Sequence, residues 1–339
     1  MMAKFTDIFE DVTKQGTKIP TNLYLETGMY PIIDQGQSQV AGYTNETEGV
    51  FTDIPAIIFG DHTRIIKYVD APCFLGADGV KLLKAKDPTA NYKYLYYALC
   101  NADIPNTGYN RHFKWLKEIE IPEYSTEEQN SVVSQLETID VLISLRKQQL
   151  SKMDELVKSR FIEMFGDPIK NSNGRSTTEF INVVKMQRGF DLPVQDRVQN
   201  GKIPVFGSNG ALDQHNVAKV FGGGVITGRS GTIGKVYYTE GDYWPLNTSL
   251  FSVDTHGNNI IYLAHLLQLF DLSRFTEGTG VPTLNRNKFH NQQIIDVPLA
   301  EQEEFAAFVE QIDKSKFEIQ KSLEKLEILK KSLMQQYFG

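Results

Sequence analysis

At 339 residues the chain is long enough for two domains, and a composition of 41% hydrophobic and 23% charged residues is that of a globular protein, not of a disordered or fibrous one. A net charge of -7 excludes an evenly basic binder of nucleic acid but not a local basic surface: Ile169–Val297 holds twelve basic against ten acidic residues, Met1–Pro122 twelve against fifteen. Two cysteines, Cys73 and Cys100, exclude a disulfide framework, and the lack of a signal peptide or an apolar run of membrane length points to the cytoplasm and away from a membrane.

Residues 1–122 read as a mixed α/β block. Short apolar or β-branched runs at Tyr30–Ile33, Ala56–Phe59, Arg64–Val69 and Val80–Leu83 alternate with turn residues, and Tyr92–Cys100 has the pattern of an amphipathic helix. Residues 123–166 follow as a long helix. It has no proline or glycine before Gly166, and apolar residues recur three and four apart at Val132, Leu136, Ile139, Ile143, Leu150, Met153, Val157 and Met164. Ser125 with Glu128 three residues on signals its start, and at 1.5 Å per residue it spans roughly 60 Å, the length of a coiled-coil arm. Residues 167–297 repeat the order of the first block. Ile203–Phe206, Val225–Thr227, Lys235–Tyr238 and the helix Ile261–Phe270 match Tyr30–Ile33, Ile57–Phe59, Lys67-Tyr68 and Tyr92–Cys100. Thr279-Gly280, Asn285 and Phe289 echo Thr107-Gly108, Asn110 and Phe113.

The last segment, 298–339, repeats the long helix without a gap at a shift of 173 residues. Glu128-Gln129 becomes Glu301-Gln302, Ile139-Asp140 becomes Ile312-Asp313, and Leu150, Met153 and Leu156 become Leu323, Leu326 and Leu329. Lys158-Ser159 becomes Lys331-Ser332, and Phe165-Gly166 becomes Phe338-Gly339. Helical periodicity alone does not force the charged matches, so the chain is a tandem repeat of a globular unit and a long helix. The expected frame is carried by Leu136, Ile139, Leu150 and Met153 of the first helix and by their repeat equivalents Val309, Ile312, Leu323 and Leu326 of the second. The helices agree more closely than the globular blocks, which suggests two variable readers on one frame.

Motifs of catalysis are lacking. Gly222–Ser230 nearly spells a phosphate-binding loop, but Arg229 stands where a lysine is needed, and Gly231, Gly234 and a β-rich run follow in place of a helix. The segment is expected to be a strand, a tight turn and a strand. The histidines show no metal-ligand spacing, and there is no nucleophile elbow and no amino-methyltransferase loop. What remains is polar and basic side chains on loops. Arg229, Ser230, Thr232 and Lys235 lie on the glycine-supported turn, and Thr283, Asn285, Arg286, Asn287 and Lys288 form a second set. Tyr109, Asn110, Arg111, His112 and Lys114, with Arg64 and Lys67, form the set of the first half. These side chains suit phosphates and base edges, so the loops of both halves are expected to face DNA.

On these residues the chain resembles the specificity subunit of type I restriction–modification systems over its whole length. The most specific parts are Val297-Pro298-Leu299-Ala300-Glu301-Gln302-Glu303 at the entry of the second helix, Leu329–Leu333 and Phe338-Gly339 at its end, and the turn Arg229–Lys235. The first half departs from that form, with Gly60-Asp61-His62-Thr63-Arg64 at the turn. The resemblance implies an α/β (α+β) protein with two target-recognition domains, each reading half of a split, asymmetric site in double-stranded DNA. Two long antiparallel coiled-coil helices, related by a pseudo-twofold axis, would join them. It implies a non-catalytic chain without a cofactor of its own. The partners would be two methyltransferase (modification) subunits and restriction subunits, with S-adenosylmethionine, ATP and Mg in those subunits. Two other readings compete: an interaction scaffold in which the coiled coil is the functional part, and a stand-alone nucleotide hydrolase built on the glycine-rich turn.

Overall fold

A computed structural model of the chain describes residues 1–76, 79–278 and 282–339. It divides into two compact units, Met1–Lys147 with Lys321–Gly339, and Gln148–Gln320. The division falls inside both long helices, so each unit owns a stretch of each.

The first unit begins with β1 (Met2–Lys4), a one-turn helix α1 (Phe5–Ile8) and β2 (Phe9–Asp11). There follow β3 (Tyr30–Ile33), β4 (Gly42–Thr44), β5 (Ala56–Gly60), β6 (Ile66–Val69), β7 (Phe74–Leu75) and β8 (Val80–Ala85). Then come α2 (Tyr92–Cys100), the short α3 (Phe113–Leu116), β9 (Glu120–Pro122) and the long α4 (Thr126–Phe165). One sheet runs β2-β8-β5-β6, a second β4-β3-β7, and β1 pairs with β9. Strand β5 is one of the two inner strands of the first sheet, and all five of its residues are buried, which is why it reads as a continuous apolar run and not as an alternation. The expected strand Arg64–Val69 forms only from Ile66. Arg64 lies in the turn with a φ of +64° and its N–H donates to the Gly60 carbonyl at 2.7 Å.

Helix α2 forms where expected, with the Asn91 side chain accepting from the Tyr94 N–H as its cap. Its Tyr94, Leu95 and Leu99 share one core with Ile57, Phe59 and Leu83 of the sheet, with Val132, Val133 and Leu136 of α4, and with Met334 near the end of the second long helix. The start of α4 is the expected reciprocal cap: Ser125 N–H donates to Glu128 at 2.9 Å and Glu128 N–H to the Ser125 hydroxyl at 3.3 Å. Gly166, with a φ of +83°, ends the helix in the left-handed conformation that glycine adopts freely.

The second unit repeats the plan. It contains β10 (Thr177–Glu179), α5 (Phe180–Val183), β11 (Lys185–Arg188), β12 (Ile203–Gly207), β13 (Gly210–His215), β14 (Gly224–Gly228), β15 (Val236–Thr239), β16 (Trp244–Pro245) and β17 (Ser249–Asp254). These are followed by α6 (Ile260–Phe270), β18 (Thr276–Glu277), β19 (Thr283–Leu284), α7 (Arg286–Phe289), β20 (Gln293–Ile295) and α8 (Leu299–Phe338). The sheets β11-β17-β14-β15, β13-β12-β16 and β10-β20 have the strand orders of the first unit.

Within each unit the long helices are antiparallel. In the first, Lys147 pairs with Glu327 at 3.2 Å, Lys330 with Asp140 at 2.5 Å, and the Tyr337 hydroxyl with Gln135 at 3.3 Å. In the second, Lys316 meets Asp154 at 2.6 Å and Arg160 meets Glu304 at 3.0 Å. Leu136, Ile139, Val309 and Leu323 of the expected frame are buried, while Leu150, Met153, Ile312 and Leu326 are half-buried. The apolar stripe of α4 differs from expectation at its end. Phe161 and Phe165 are fully buried against Tyr262 and Phe305, and Met164 is not. There α4 packs on α6 as well as on α8, so its buried face widens. Among the described residues no helix is long and apolar enough to cross a membrane.

Candidate nucleic-acid interface

In the second unit the glycine-rich segment is a hairpin, not a phosphate-binding loop: β14 leads through a turn into β15, with Thr227 opposite Val236. A side chain at Gly228 would place its Cβ 1.7 Å from the Thr232 carbonyl oxygen, so only glycine lets the turn close. The Arg229 N–H donates to the Thr248 carbonyl at 2.8 Å, and the Thr227 hydroxyl to the Lys235 carbonyl at 2.9 Å. These bonds fix the turn and leave Arg229, Ser230 and Thr232 half-buried and Lys235 exposed.

The fold brings this turn to the second polar set. Ser230 bridges Thr283 in antiparallel sense, and the Leu284 N–H donates to the Arg229 carbonyl at 2.8 Å. Asn285 caps α7 by accepting from the Asn287 N–H at 3.1 Å. Its amide also donates to Glu277 at 3.3 Å, and Lys288 pairs with the same carboxylate at 3.0 Å. Lys288 first and Asn285 second hold Glu277 below the usual carboxylate range. Between the two sets lies a depression of about 360 Å³ lined by Arg188, Arg229, Glu277, Thr283, Asn285 and Arg286. Arg188 carries no sequence motif. It reaches the site because it ends β11, opposite Leu250 of β17. Thr279-Gly280 lies outside the described residues.

In the first unit the corresponding loops also meet, by different means. The Asp61 carboxylate accepts from the Phe113 N–H at 2.8 Å, and the Asp61 carbonyl lies 2.9 Å from Nδ1 of the fully buried His112. Tyr109 is 88% exposed and stacks on His62 with ring centroids 4.6 Å apart. Asn110 is exposed and folds back on its own loop, its amide donating to the Thr107 carbonyl at 2.6 Å. Arg111 is exposed, and the exposed Lys114 lies over the Trp115 ring at 4.1 Å. Two of the expected contacts are engaged within the protein. The Arg64 guanidinium donates to the Ile104 carbonyl at 3.0 Å. Lys67 is 2% exposed, paired with Asp34 at 3.3 Å and donating to the Ser38 carbonyl at 2.5 Å. Burial lowers the Lys67 pKa against the pull of Asp34, and its ammonium faces the interior because Lys67 pairs with Ile58 of the buried β5.

The expected equivalence of Asn285 and Phe289 with Asn110 and Phe113 shifts by a few residues. Leu116 and Phe289 are the fully buried last residues of α3 and α7, each four before its final strand. His112 and Asn285 are therefore the matching cap positions. Hydrogen bonds from the Phe5 N–H to Ile119 and from the Phe180 N–H to Gln292 confirm the alignment. Among the described residues no three His, Cys, Asp or Glu side chains gather as metal ligands.

A family model described as the type I restriction modification DNA specificity domain matches residues 1–154 and again 175–330. The specificity subunit of the Escherichia coli type I restriction enzyme EcoR124I/EcoR124II is 34% identical over 79 residues, which cover 22% of this chain and 20% of that relative. The crystal structure of a type I restriction–modification S subunit from M. genitalium shares the fold with a TM-score of 0.66 at 17% identity, covering 100% of this chain and 96% of that one. A chain from a structure on complex assembly and conformational transition of the type I R-M system aligns with a TM-score of 0.58 at 14% identity, covering 100% and 97%. With the model matched by both halves and the same strand orders in both units, the chain belongs to the type I restriction–modification DNA specificity family and carries that family's domain twice.

Proposed function

We propose that the chain is the sequence-specificity subunit of a type I restriction–modification complex. Each globular domain reads one half of a split, asymmetric duplex site, and the two long helices hold two adenine methyltransferase subunits, which restriction subunits join. In this reading S-adenosylmethionine, ATP and Mg belong to those partners, the chain itself performs no chemistry, and the complex works in the cytoplasm. The observation that carries the reading is one fold used twice with two different loop surfaces. The first presents Tyr109, Arg111 and Lys114 outward; the second presents Lys235 and a depression lined by arginines. A common scaffold with different polar loops is what two half-sites of different sequence require.

The helices support the partner part of the reading. Val141 and Leu145 of α4 are 57% and 52% exposed and Ile328 of α8 is 69% exposed, apolar surface of the kind a protein partner covers. Exchange of residues 167–297 for another domain of the family tests the reading. Mapping of methylated adenines is expected to show one half of the recognised site changed and the other retained. A change in both halves, or in neither, contradicts it.

A further inference from the structure

We propose that Arg188, Arg229 and Arg286 form a clamp for one phosphate group of the DNA backbone, so that this depression anchors the duplex and does not read its sequence. The proposal rests on the chain being a DNA-binding protein and assigns a role within that reading.

The three arginines come from different elements, the end of β11, the β14–β15 turn and the first residue of α7, and all line one depression. Among the described residues none of the three side chains has a hydrogen bond or ion pair. The one carboxylate lining the depression, Glu277, is already engaged by Lys288 and Asn285. Three arginines around one depression whose carboxylate is already engaged repel one another, which is tolerated when an anion is the occupant.

The fold does not need them. In the first unit the same places hold Thr13, Asp61 and Phe113. Val12 bonds to Leu82 as Gln187 pairs with Phe251, which sets Thr13 against Arg188. Gly60 and Gly228 end the matching strands, which sets Asp61 against Arg229. Phe113 and Arg286 open the matching short helices. The first unit therefore builds the same architecture with no arginine at any of the three.

The shape of the site selects the class of contact. Base edges lie at the bottom of a groove between two phosphate ridges, and a protein reaches them with something that protrudes. A depression receives what protrudes from the DNA, and that is a phosphate. The backbone bonds of Arg229 to Thr248 and Leu284 hold the loops in place before DNA arrives. Guanidinium forks match phosphate oxygens in pairs, so three of them saturate one group.

The test uses the full chain in its complex with the modification subunits, bound to a random-sequence duplex over a salt series. Arg188→Gln and Arg286→Gln are each expected to flatten the slope of log K against log salt by about 1 and to weaken random and target duplexes by the same factor. Arg188→Lys keeps the charge and is expected to keep the slope. The Gln variants are expected to melt no lower than the unaltered protein, because a repulsion is relieved. An unchanged slope with binding intact overturns the clamp alone. So does a loss of affinity confined to one base pair of the target, which makes the arginines base readers. No affinity of the unaltered complex for any duplex overturns the DNA-binding reading together with the clamp.

Discussion

His290 is expected to make the second unit sensitive to acid. It is buried, and its Nε2 accepts the Met186 N–H at 3.2 Å, a bond that only the unprotonated nitrogen can make. Burial first, then Arg286 and Lys185, lower its pKa from the ordinary 6.5. His265 is lowered too, again chiefly by burial. A folded pKa below the unfolded one means that the unfolded chain takes up the proton first. The stability these rings contribute is thus complete above about pH 6.5 and is lost as pH falls through the lowered folded values. Thermal melts at pH 7.5 and pH 5.5 are expected to show a drop that His290→Gln makes smaller; an equal drop would move the acid sensitivity elsewhere. At this scale the sequence was a partial guide. The loop sets were legible because glycine turns and clustered polar residues mark exposed backbone, and the fold does join the two, Ser230 to Thr283 and Arg229 to Leu284. Lys67 and Arg188 were not legible. What each cation meets is set by residues far away in sequence, Asp34 and Ser38 for Lys67 and strand β17 for Arg188.

Elements were legible in proportion to their length. The helix read at Ser125–Gly166 forms as Thr126–Phe165, and α2 forms at the residues expected, because period and caps are local signals. The two-residue strands β7 and β16 left no trace in the sequence. Each exists through parallel pairing with a distant strand, Ile32 with Phe74 and Val205 with Trp244. The far end of α4 misled for a related reason. A single stripe predicts one partner helix, whereas Phe161 and Phe165 turn toward α6 and close an aromatic cluster with Tyr262 and Phe305. Phe161→Ala is accordingly expected to destabilise the second unit by about 3–5 kcal/mol. Urea denaturation followed by a signal from that unit checks this; a cost near that of a surface substitution would mean that the ring lies outside the core.

The molecule is built so that residues 148–166 complete the second unit and residues 321–339 complete the first, and the repeat shift of 173 superposes these two segments. A fragment Asp167–Gly339 therefore lacks Val157, Phe161 and Phe165 of its own core but carries their counterparts Lys330, Met334 and Phe338. A second copy of the fragment supplies the missing segment, with Lys330 where Val157 is 5% exposed. Lysine stems pack along apolar surface at some cost. Sedimentation at micromolar concentration is expected to show a dimer, tightened by Lys330→Val; a folded, stable monomer would contradict this pairing. The same division has a consequence for how the protein is made. Synthesis of the first unit starts first, yet Met334 belongs to its core, so that core stays open while the ribosome completes residues 148–320. The half whose synthesis starts first is thus finished last. For that interval the side of the core that Met334, Leu333, Tyr337 and Phe338 cover lacks its cover, although Val132, Val133 and Leu136 already have the sheet and α2 to pack on.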